Sequence, residues 1–149
     1  MFGSASSGVS AYSKIGVETG VLAASPHKLI VMLFDGAIVA LGNALSQMQS
    51  GDIPAKGKSI SKAIAIIDNG LRASLDKRIG GEIALNLDSL YEYMSRQLLL
   101  ANLNNDEAKI TEVQNLLRDL KGAWEAISPE GAKNTSSTTA PIPTQTIEA

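Results

Sequence analysis

The sequence has no cysteine, one histidine, one tryptophan, and aromatic residues at only 4%. Without cysteine there are no disulfide staples, no thiolate metal sites and no cysteine nucleophile, and the chain suits a reducing cytoplasm. One histidine cannot supply the paired Glu-x-x-His motifs that a di-iron centre needs inside a helical bundle. Positive charge is not in excess: 13 Lys and Arg stand against 15 Asp and Glu, for a net charge of -2. The long-range attraction that drives nucleic-acid binding is therefore missing. Gly80-Gly81-Glu82 places an acid where a phosphate-cradling loop needs its cation, so no nucleotide site is expected. No metal, no cofactor and no nucleic acid are implied. The longest apolar region, 29–41, is interrupted by Asp35 and falls short of the about 20 residues a spanning helix needs. Residues 1–8 carry no positive charge and no long apolar stretch, which argues against a secretory signal. A soluble protein without membrane insertion is expected.

What remains is a chain of 149 residues, 44% hydrophobic and 19% charged, sized for one domain with a buried core. Residues 1–10 are small and polar and should be flexible. Residues 11–21 carry Tyr12, Ile15 and Val17, enough for a short helix or a strap on the body. Ser25-Pro26 is a helix start, a serine cap followed by proline where its missing N–H costs nothing. The first long helix should run to about Ser50 and stop at Gly51-Asp52. A second, over 54–76, has Ile60, Ile64, Ile67, Leu71 and Leu75 on one face. Gly80-Gly81 breaks the chain. A third helix then follows, with Ile83, Leu87, Leu90, Met94, Leu98 and Ala101 as its stripe. Asn104-Asn105-Asp106 offers caps for a fourth, with Ile110, Val113, Leu117, Leu120, Trp124 and Ile127. Nothing alternates like a strand. The pattern predicts an all-α protein, an antiparallel four-helix bundle over 11–127 with a short N-terminal helix or strap. The Ser/Thr/Pro-rich run 128–149 should be a disordered tail.

Polar residues offer little catalytic chemistry. Asp88, Glu92 and Arg96 share a helix face and read as a solvated charge ladder. His27, just after a helix-opening proline, reads as a first-turn surface residue; a histidine phosphotransfer bundle, which places its histidine in mid-helix, is the alternative it raises. The apolar residues are in surplus. On the first helix Leu29, Ile30, Leu33, Phe34, Ala37, Ile38, Leu41, Ala44, Leu45 and Met48 fill one side, and Val31, Met32 and Val39 widen the arc beyond what a bundle helix needs. Leu99 and Leu103 lie away from the third helix's core stripe. Such a surplus is either a helix buried by its neighbours or a groove for partner helices.

The words of the sequence resemble a known family. Ser25-Pro26-His27-Lys28-Leu29-Ile30 and Met32-Leu33-Phe34-Asp35-Gly36-Ala37 are similar to the first signature of the FliS family, the flagellin-specific export chaperones of bacteria. Ile66-Ile67-Asp68-Asn69-Gly70-Leu71, Gly80-Gly81-Glu82-Ile83-Ala84, Leu90-Tyr91, Tyr93-Met94 and Ala123-Trp124 follow in the family's order, so the likeness spans about 9–127. Phe34 stands where many members carry tyrosine, which keeps the ring and removes a hydroxyl. The resemblance implies a cytoplasmic, non-enzymatic chaperone that binds the C-terminal segment of flagellin one to one. It would prevent premature polymerisation and help deliver the subunit to the type III export apparatus, with contacts to an export-gate protein and other flagellar proteins. The residues implied for flagellin are Leu29, Ile30, Leu33, Phe34 and Ile38, then Tyr91, Tyr93 and Leu98, each with a core role as its alternative. Val9, Tyr12, Val17 and Thr19 match the segment that covers the groove and docks to the gate, and Tyr12 is equally a plain anchor for the strap. A structural bundle with no dedicated partner is the remaining alternative.

Overall fold

A computed structural model describes residues 25–127, and within them the chain forms four helices and no strand. The expected strap with Val9, Tyr12, Val17 and Thr19, the expected flexible segment 1–10 and the expected tail 128–149 lie outside the described residues.

Helix α1, Pro26–Ser50, has the bounds that its caps dictate. The Ser25 hydroxyl accepts from the Lys28 N–H at 3.1 Å, and Gly51 ends the helix in the left-handed conformation at φ 77°. Helix α2, Ile53–Ala65, starts one residue before the expected Pro54, with the Asp52 carboxylate accepting from Ala55 N–H. It does not continue regularly to 76. From Ile66 to Arg72 the chain widens into a π-helix, which buries Ile66, Ile67, Gly70 and Leu71 together. The Ser74 hydroxyl closes that segment by donating to the Gly70 carbonyl at 2.6 Å. Asp76, expected to end this helix, instead caps the next one, accepting from Arg78 and Ile79 N–H.

Helix α3, Lys77–Asn104, therefore begins before the glycine pair rather than after it. Gly81, at φ 55° and ψ -130°, breaks it after one turn. That redirection takes Ile83, expected on the core stripe, out to 71% exposure. Asn105, left-handed at φ 51°, ends α3, and Asp106 caps α4, Glu107–Ala126.

Polar contacts establish the antiparallel order. His27 at the start of α1 meets Trp124 at the end of α4, while Gln49 at the end of α1 meets Glu107 at the start of α4. Lys56 at the start of α2 reaches Asn102 and Asn105 at the end of α3. Tyr93 of α3 donates to Glu112 of α4. Each helix thus lies beside its chain neighbour, and α4 returns beside α1. The core within is Leu33, Phe34, Ala37, Leu41, Ile60, Ile67, Met94, Leu98, Ile110, Val113 and Leu117, with smaller residues between them. Ile64, Leu75, Leu87, Leu90, Leu120 and Trp124 pack on it partly buried, and Ile127 is left outside at 67% exposure, past the end of α4.

α1 is long and apolar enough to cross a membrane by length and composition, contrary to the reading of its interrupted run. In the bundle, however, seven of its residues face the core, and Asp35 meets Lys121 of α4 at 2.6 Å. Burial against α2, the π-helical turn that follows it and α4 accounts for much of its apolar composition.

Candidate docking surface

The eight residues expected to contact flagellin divide by burial. Leu33, Phe34, Tyr91 and Leu98 are core, between 0% and 5% exposed. Leu29, Ile30, Ile38 and Tyr93 are half-buried at the rim. The phase of each helix explains the division: Leu33 and Phe34 share the inward face of α1 with Ala37 and Leu41, whereas Ile38 turns toward α4. Burial pushes the Tyr91 phenol well above its ordinary range. The Tyr93 hydroxyl donates to Glu112 at 2.6 Å, and that bond raises its pKa too.

The apolar surface that remains outside gathers at both ends of α3, with Ile79, Ile83 and Leu85 exposed at its start. Leu99, Leu100 and Leu103 stand 59%, 37% and 79% exposed over the last two turns of α3. Ile53, 50% exposed, is near them, because Lys56 one turn into α2 donates to the Asn102 carbonyl and to Asn105 Oδ1 at the end of α3. Gly57, with open space where a side chain would stand, leaves a notch in α2 on this side. On α1 the exposed residues are Met32 at 37% and Val39 at 61%. Leu99, Leu103, Met32 and Val39 were legible as surplus; Leu100 and Ile53 were not, since neither departs from an ordinary helix pattern.

Lys56 and Gln114 were also invisible to sequence reasoning. Both are polar yet buried, at 3% and 7% exposure, and each is satisfied across the bundle: Lys56 as above, Gln114 by donating to the Ile38 carbonyl at 3.1 Å. The charge ladder forms only in part. Arg96 pairs with Glu92, but Asp88 turns to the π-helix, accepting from Arg72 Nε at 2.7 Å, with Lys77 of its own helix at 3.5 Å. The guanidinium beside it holds the Asp88 carboxyl below the usual carboxylate range.

His27 is not a free surface histidine. Its ring stacks on Trp124 with centroids 4.6 Å apart, and its Nε2 sits 2.8 Å from the Trp124 carbonyl. A carbonyl only accepts, so Nε2 carries the proton and is committed to this bond. Among the described residues no group of three or more His, Asp or Glu gathers to hold a metal.

Residues 25–127 define an all-α helical-bundle protein with a leucine row exposed on α3. A family model described as "Flagellar protein FliS" matches residues 8–131, and the chain belongs to that family. Relatives named flagellar secretion chaperone FliS include one from Salmonella typhimurium, 55% identical over 85% of this chain and 93% of its own length. One from Escherichia coli is 49% identical over 81% of this chain and 89% of its own. A third, from Vibrio cholerae, is 44% identical over 80% and 88%. The family is one of chaperones, not enzymes.

Proposed function

We propose that this chaperone works in the cytoplasm, binds the C-terminal segment of flagellin one to one, keeps it from polymerising early, and helps deliver it to the flagellar export apparatus. The observation that carries the reading is the exposed row Leu99, Leu100 and Leu103, apolar surface a solitary bundle would have no reason to keep outside. Leu29, Ile30, Ile38 and Tyr93 would extend the contact along the rim, with Leu33, Phe34, Tyr91 and Leu98 forming the floor that shapes it. Val9, Tyr12, Val17 and Thr19 would serve the strap and the export-gate contact.

An amphipathic segment that folds onto such a surface gives up about 2 to 5 kcal/mol to ordering, which favours later release. The test is calorimetry or native mass spectrometry of the protein with a peptide from the end of its flagellin. A stable one-to-one complex is expected. No complex, with both components intact and folded, would sink the reading.

A further inference from the structure

Among the described residues Lys56 is the only charged residue that is buried, at 3% exposure, and it breaks two local rules. A buried lysine is normally paired with an acid. The Lys56 ammonium meets no carboxylate among the described residues. It is also the fourth residue of α2, a cation near a helix start, where the dipole favours acids. Neither burial nor its own helix accounts for the charge.

The end of α3 does. A helix terminus leaves its last carbonyls without backbone donors. The Asp106 N–H, which a continuing helix would send to the Asn102 carbonyl, goes to Ala101 at 3.1 Å instead. Lys56 Nζ fills the vacated Asn102 carbonyl at 2.9 Å and donates to Asn105 Oδ1 at 2.6 Å. Asn105 is the left-handed residue that closes α3, and the last turn of α3 has no basic residue of its own. Lys56 therefore supplies from α2 the cation that the negative end of α3 favours. The turn it holds carries Leu103, with Leu99 one turn earlier, and Ile53 lies one turn before Lys56 on α2. One side chain thus ties together the two elements that carry the exposed apolar patch.

We infer that Lys56 is a positioning residue for cargo: through Asn102 and Asn105 it fixes the last turn of α3, so that Leu99, Leu100 and Leu103 stand in place beside Ile53. The inference rests on the leucine row being the flagellin seat, and it names what sets the shape of that seat. Helix ends that are not tied down fray, and a frayed row must be ordered on binding at a cost in affinity. An apolar side chain would fill the same space without desolvating a charge, so what the ammonium adds is its two bonds.

Two variants cut the tie from opposite sides. Lys56→Met keeps the stem and removes the ammonium; Asn105→Gly removes the acceptor and keeps a residue suited to left-handed backbone. Amide hydrogen exchange, urea unfolding and calorimetry with the flagellin peptide read both. Exchange at 103–106 should quicken about tenfold while the middles of the helices keep their protection, and peptide affinity should fall about five- to tenfold. The double variant should lose no more than either single one. Leu103→Asp should weaken binding less in Lys56→Met than in the wild type, because the row is already out of place. Unchanged exchange at 103–106, unchanged affinity, or full additivity of Lys56→Met with Leu103→Asp overturns the inference. Protection lost equally in all helices, with a matching drop in urea midpoint, overturns it too, by making the lysine a general stabiliser. If Lys56→Met does not fold, Asn105→Gly alone decides. A wild type that binds no flagellin peptide sinks the cargo reading; a wild type that binds, with variants that bind equally well, sinks only the role of Lys56.

Discussion

His27 and Trp124, 97 positions apart, clasp each other at the open end of the bundle. Their rings lie within 11° of parallel at 4.6 Å, the indole N–H donates to the His27 carbonyl at 3.1 Å, and the imidazole Nε2 donates to the Trp124 carbonyl at 2.8 Å. The first turn of α1 and the last turn of α4 are joined by two hydrogen bonds and a stack. This geometry explains why the only histidine sits beside a helix-opening proline without being catalytic.

Trp124→Phe keeps a smaller aromatic ring against His27 and loses the N–H donor, and should cost about 1–2 kcal/mol. His27→Ala loses the stack and the other bond, and should cost about 2 kcal/mol. Urea unfolding followed by circular dichroism reads both. Incubation of the wild type with phosphodonors should leave no acid-labile phosphate on His27; finding it would revive the phosphotransfer alternative.

Core and surface leucines should respond differently to the same change. Leu33→Asp buries a carboxylate at a 5% exposed site and should cost several kcal/mol, visible as lost helicity. Leu103→Asp, at 79% exposure, should leave helicity intact and reduce flagellin-peptide affinity about tenfold or more, read by calorimetry. Peptide affinity untouched by Leu103→Asp would remove the leucine row from the docking surface.

The Arg72–Asp88 pair makes stability depend on acid. Folding lowers the Asp88 carboxyl below its unfolded value of about 3.9, so the contribution is full above that value and fades as pH falls through the folded one. Asp88→Asn should destabilise by about 1 kcal/mol at pH 7. The difference from wild type should shrink below about pH 4. Urea midpoints at neutral and acid pH measure this; a constant gap would contradict it.

Glycines in α2 and α3 should respond in opposite directions. Gly81→Ala puts a side chain at φ 55°, ψ -130° and should destabilise by about 1–3 kcal/mol. Gly57→Ala meets open space within a helix and should stabilise by up to about 1 kcal/mol. Thermal unfolding of the two variants gives the comparison.

Helix existence was legible because capping chemistry and apolar period are local. Ser25-Pro26 and Gly51 mark α1 at its observed ends, and Asp106 marks the start of α4. The π-turn from Ile66 was not legible, since its wider pitch is stabilised by packing of four buried residues against other helices. The start of α3 was misplaced because a glycine pair signals a break without saying on which side the helix begins.

For the docking surface, the sequence alone determined that α1 and α3 carry more apolar residues than one seam requires, and its motifs carried the family resemblance. Only the tertiary structure decided which of them face water. Leu33 and Leu103 are chemically the same side chain; helical period set Leu103 off the core stripe of α3 but left Leu33 open between core and groove. One points at Ala37, Leu41 and the other helices of the core; the other projects from the last turn of α3 into solvent. Burial is a property of what the other helices cover, and that depends on contacts between residues distant in the chain.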